Sequence, residues 1–201
     1  MDVRDTFMLA ARSFATLVDR IPVQAYDGPG LGEWDLRALV GHASRSLVTV
    51  LTYLDRPAPG AAVVSAVDYY AHGVVAGTDP AAVVGRGVAA GAALGDDPAA
   101  AVSALVASTI EKLQGFRDDY VLETIAGPMR LGDYLPTRTF ELVVHGLDVA
   151  RATGLVAMYE EVVLAEASIL AVRIAVRTGG GEDVLLALTG RTPLPAGFSV
   201  V

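Results

Sequence analysis

The sequence predicts a mainly α protein: a four-helix bundle with a small β-hairpin and a short α/β C-terminal tail. Three observations lead there. Four long stretches carry apolar residues at helical spacing. Capping residues, prolines and glycines stand where those stretches begin and end. Apolar residues make up 53% of the 201, enough to bury a core between several helices.

The first helix covers 3–20. Phe7, Ala11, Phe14, Leu17, Val18 and Ile21 recur on one face, and Pro22 ends the run. A turn-rich loop, "VQAYDGPGLGE", follows. The second helix lies in "EWDLRALVGHASRSLVTVLTYL", with Asp35 as its cap, the carboxylate accepting from free N–H groups of the first turn. Its buried stripe runs through Leu36, Leu39, Val40, Ala43, Leu47, Val50, Leu51 and Leu54, and "DRPAPG" stops it.

Residues 63–95, rich in Ala, Val and Gly, are expected to form two short helices near 65–76 and 79–94. In "DDPAAAVSALVASTIEKLQGF" Asp97 caps, Pro98 takes the first helical position, and the helix continues to about Phe116. "YVLETIAGPMRLGDYL" alternates around Gly127-Pro128 and predicts a hairpin over 120–125 and 129–131. The fourth long helix spans 132–153 and Gly154 terminates it. A last helix covers 160–178, and the tail predicts strands at 184–189 and 197–201. The expected organisation is a bundle over 1–155, with 156–201 packed on it because that segment is too short for its own core.

Composition narrows the function. A charge of −8 and a pI near 4.8 disfavour nucleic acid as partner, since such binding neutralises phosphates with Lys and Arg. Fourteen Arg stand against one Lys, Lys112, amid abundant Ala, Val and Gly, the composition of a GC-rich coding sequence such as an actinobacterial one. No cysteine is present, which excludes disulfides, thiolate ligands and a cysteine nucleophile. Any metal must be held by His, Asp or Glu, and any thiol chemistry needs a thiol from outside. The N-terminus "MDVRDTFMLAARSF" lacks a signal-peptide pattern and no apolar run reaches membrane-spanning length, so a cytoplasmic location is expected.

The stretch "RTFELVVHGLDVARATG" raises the chemical question. At ~100° per residue, Tyr134, Arg138, Glu141, His145 and Asp148 share one face of an otherwise apolar helix. Such a stripe is ordinarily the wet face of a helix, with i,i+3 and i,i+4 surface pairs. It is also the layout of a metal grip, because Glu and His one turn apart project side by side. A three-ligand site needs one more residue, and His42 in "LVGHASRS" is the candidate, on the flank of its helix where a neighbour could meet it. His72, in "VDYYAHGVV", is the spare histidine and reads as structural or exposed.

These residues carry a resemblance. "LGEWDLRALVGHASRS" and "GDYLPTRTFELVVHGLDVARATG", with the ending "LLALTGRTPLP", resemble the mycothiol-dependent maleylpyruvate isomerase family, a branch of the DinB-like metal-binding four-helix bundles. The resemblance covers most of 5–155. It implies a divalent metal, usually zinc, bound by His42, Glu141 and His145; the sequence does not distinguish zinc from nickel or iron. Asp148 matches the family Asp and would orient His145; Arg138 matches the family Arg and would fix Glu141. Two departures stand out: the characterised isomerases carry a longer C-terminal domain, and Ala38 replaces an acidic residue early in the second helix.

The resemblance implies that a metal-bound thiol loses its proton and becomes the nucleophile this chain lacks, with mycothiol or a similar small thiol as cofactor. The thiolate would add to an activated double bond of a small electrophilic substrate and allow isomerisation, or stay attached in S-transfer. Arg45, Arg138 and Arg191 are the candidate cations for cofactor or acidic substrate. Two alternatives remain open: a metal- or ligand-binding bundle without turnover, and a structural bundle that forms a homodimer through apolar faces.

Overall fold

A computed structural model describes residues 2–62, 64–71 and 79–201. Among these residues the elements are α1 (Val3–Asp19), α2 (Leu36–Leu54), α3 (Ala66–Ala71), α4 (Pro80–Ala93), α5 (Pro98–Leu113), β1 (Val121–Thr124), β2 (Gly127–Arg130), α6 (Leu131–Thr153), α7 (Glu161–Arg177) and α8 (Gly181–Leu188). The four long helices close into a ring. α1 packs on α5 and α6, and α2 packs on the same two. Phe7, Phe14, Leu39, Leu47 and Leu142 are buried at its centre. Each contributes roughly 1.5–3 kcal/mol by leaving water.

The predicted caps form. The Asp35 carboxylate accepts from the Ala38 N–H at 2.7 Å, and that of Asp97 from the Ala100 N–H at 3.0 Å. α6 ends at Gly154, whose φ of +70° favours glycine. Outside the ring, α4 lies along α2, α3 is held by α6 and α7, α7 also touches α1, and α8 packs on α7. No helix among the described residues is long and apolar enough to cross a membrane.

Three expectations need correction. The segment expected as a strand at 184–189 lies mostly in α8. A short apolar run does not separate the two states, and the Leu and Ala of "VLLAL" are strong helix formers. Residues 197–201 form no strand; Gly197, at φ +75°, turns the chain, and the Phe198 N–H closes onto the Pro195 carbonyl. The hairpin is tighter than expected, pairing Thr124 with Gly127 around a two-residue turn. Pro128 sits inside β2, which a two-stranded ribbon tolerates because an edge position demands no amide donor. Of the helix expected near 65–76, Ala66–Ala71 is present, and the rest lies outside the described residues, as does His72.

Candidate metal centre

The polar stripe of α6 is not a wet face. Tyr134 and Arg138 are buried, and Glu141, His145 and Asp148 are mostly shielded, with side chains 22%, 16% and 15% exposed. α6 is exposed instead at Leu147 and at Arg151, whose guanidinium reaches back to Asp148 Oδ1 at 3.7 Å. The stripe turns inward because α2 and α3 both pack on α6 and cover it.

α2 brings His42 to the same place. Its ring stands edge-on to that of His145 with centroids 4.7 Å apart. One ligand atom each from His42, Glu141 and His145 lies within 4.8 Å of the others, so the three could hold one metal ion. The donor set suits a divalent ion of the zinc type, with two imidazoles and one carboxylate. The Nδ1 of His42 is buried without a hydrogen-bond partner, although its neighbours are otherwise well paired. An orphaned buried nitrogen is costly and uncommon.

Each ligand is held from behind. His145 Nδ1 lies 3.3 Å from Asp148 Oδ2, and its Nε2 lies 3.2 Å from Glu141 Oε2. Glu141 Oε1 accepts from the Tyr70 hydroxyl at 2.8 Å. Trp34 stacks on His42 with centroids 4.4 Å apart, and its indole N–H donates to the Val84 carbonyl at 3.1 Å. Arg138 does not fork onto Glu141. Its guanidinium lies over the Tyr69 and Tyr134 rings, at 5.1 and 5.0 Å, and Nε donates to Thr137 Oγ1. It reaches Glu141 through charge rather than contact.

Electrostatics sets the protons. Burial and the charge of His145 push His42 down to about 4, so it is neutral at pH 7 and able to ligate. For His145 burial works the other way, yet the hydrogen bonds to Asp148 and Glu141 outweigh it and lift the imidazole to about 9. Burial opposes ionisation of Glu141, but the His145 hydrogen bond and the Arg138 charge hold it near about 2. The three groups thus present one carboxylate and one bare imidazole around a single shared proton.

The group forms the floor of a cleft of ≈ 660 Å³. Trp34, Tyr53 and Tyr69 line it with Arg45, Arg86 and Arg138, and Val201 of the tail reaches its wall. An acidic chain therefore places three arginines around one cavity. Arg191 is elsewhere, exposed and bonded to the Thr189 carbonyl, and takes no part. The roles of Trp34 and Tyr70 are not legible in the sequence. The only signal for Trp34 was an aromatic residue beside the Asp35 cap, and Tyr70 stands in a poorly patterned segment.

Fold and site together define a four-helix bundle with a His–Glu–His group able to hold a metal ion beneath an aromatic, arginine-bearing cleft. Residues 7–150 match the model of the family described as the mycothiol maleylpyruvate isomerase N-terminal domain, and the chain belongs to that family. No curated protein and no solved structure matches it significantly.

Proposed function

We propose that the protein is a divalent-metal-dependent enzyme, zinc being the simplest ion, which activates a small thiol of the mycothiol kind for isomerisation or S-transfer on a small electrophile. The observation that carries this is the convergence of His42, Glu141 and His145 on one point at the base of the cleft, in a chain without cysteine. His42, Glu141 and His145 would hold a divalent ion, which when bound would supply a Lewis acid that lowers the pKa of a coordinating thiol.

The chain's residues supply the rest. Asp148 holds the proton on His145 Nδ1 and leaves Nε2 to face Glu141 Oε2. Trp34 fixes the plane of the His42 ring. Arg45 and Arg138 offer cations for an acidic substrate or the thiol cofactor, and Tyr53 and Tyr69 give the cleft an aromatic wall.

The test is metal content by mass spectrometry on protein purified without an affinity tag. Near one equivalent is expected, with loss of stoichiometric metal in His42→Ala, Glu141→Gln and His145→Ala. Turnover of maleylpyruvate or a small electrophile with mycothiol then separates an enzyme from a metal-binding module. Metal-free protein that takes up no zinc on titration would overturn the proposal.

A further inference from the structure

We propose that Tyr70 is a positioning residue that restricts Glu141 to one ligating oxygen, Oε2, and thereby keeps a coordination position open towards the cleft. This rests on the metal reading above and extends it to a residue on α3. Glu141 has two oxygens, and the structure treats them differently. Oε2 faces His145 Nε2 at 3.2 Å. Oε1 receives the Tyr70 hydroxyl at 2.8 Å.

The hydroxyl is not free to leave. Its other neighbour is the Thr137 carbonyl at 3.1 Å, also an acceptor, so the phenol can only donate here. Tyr70 is 5% exposed. Its ring is wedged edge-on between Tyr69 and Phe140, at 5.2 and 5.4 Å between centroids. α3, which carries it, is itself held between α6 and α7.

Turning the carboxylate so that both oxygens met one ion would strip Oε1 of this charge-assisted bond and leave the hydroxyl proton to the more distant Thr137 carbonyl alone. Two imidazoles and a one-oxygen carboxylate fill three positions of a four-coordinate ion, whereas a two-oxygen carboxylate fills the fourth. Selection of Oε2 is thus what preserves a vacancy for a ligand. The alternative is that the bond only ties α3 to α6.

The test uses metal-free full-length protein loaded with one equivalent of Co(II), in wild type and Tyr70→Phe, after thermal melts show that the ion-free variant folds. In wild type we expect the intense visible bands of low-coordinate Co(II) and a thiolate charge-transfer band on adding 2-mercaptoethanol. In Tyr70→Phe the visible bands weaken and affinity for that thiol drops about tenfold. Identical spectra and thiol affinity in the two proteins would overturn the proposal and leave Tyr70 a structural tie. A second measurement needs no variant. Infrared spectra of wild type carrying ¹³C-labelled glutamate, with and without zinc, should show the wide carboxylate splitting of one-oxygen ligation. A narrow splitting overturns this proposal alone, whereas failure of wild type to take up Co(II) overturns it together with the metal reading.

Discussion

Two imidazoles in one site titrate in opposite directions because their neighbours differ. His42 faces Trp34 and His145 and is held down to about 4; His145 faces two carboxylates and is lifted to about 9. This fixes how the ion-free protein responds to pH. Below the ordinary value of 6.5 the unfolded chain protonates His42 and the folded chain does not, so stability falls with acidity towards pH 4. Between 6.5 and about 9 the folded chain keeps a proton on His145 that the unfolded chain has released. Stability is therefore lost as pH rises through that window. Glu141, held near about 2, stays ionised throughout. Denaturant midpoints of chelator-treated protein should peak near pH 6.5, with each limb worth on the order of 3 kcal/mol. A midpoint flat between 6.5 and 9 would show that the His145 proton is not held. Asp148→Asn removes the carboxylate behind His145 Nδ1, and zinc affinity by competition titration should fall by about 10–100-fold with the fold intact. Unchanged affinity would remove Asp148 from the site.

Elements position these side chains through close backbone contact. α4 lies against α2 because both present glycine where they cross: a Cβ on Gly41 would run into the Gly91 backbone. α4 then supplies Val84, whose carbonyl holds the Trp34 indole, and Gly87, where an added Cβ would fall 2.6 Å from that indole. Two substitutions separate these roles. Gly41→Ala forces backbone apart and should cost about 3 kcal/mol in chemical unfolding. Gly87→Ala meets only a half-buried side chain, so its stability should change little while zinc affinity drops as His42 loses its stacked ring. Equal loss of stability in both would mean that Trp34 is as fixed as the backbone. None of this crossing was legible in the sequence, since glycines in an Ala/Val/Gly-rich run look alike until the partner helix is known. The caps were legible, because Asp35 and Asp97 act within three residues of themselves. α8 was not, since a short apolar run does not declare its period. The ligand candidates emerged from spacing within α6 and from the resemblance. Tyr70 stayed hidden because its partner, Glu141, lies 71 residues away and a tyrosine in an unpatterned stretch announces nothing.

At the scale of the molecule, the three candidate ligands come from two helices that are neighbours in the ring, one from α2 and two from α6. An ion gripping all three would cross-link segments that are about a hundred residues apart in the chain and are brought together only by folding. The unfolded chain has no cysteine to hold the ion and only three scattered histidines, so its residual affinity is small and the full linkage acts on the native state. At a free zinc concentration about 100 times the dissociation constant, the gain is ~2.7 kcal/mol, which for a domain of this size moves the melting temperature up by roughly 5–10 °C. The shift should rise with the logarithm of free zinc, be reversed by chelator, and disappear in Glu141→Gln, whose neutral amide keeps the shape but loses the charge. Scanning calorimetry across a zinc-buffer series reads all three. A shift of the same size in Glu141→Gln would place the ion elsewhere, and a melting temperature indifferent to zinc in the wild type would mean that α2 and α6 meet for packing alone.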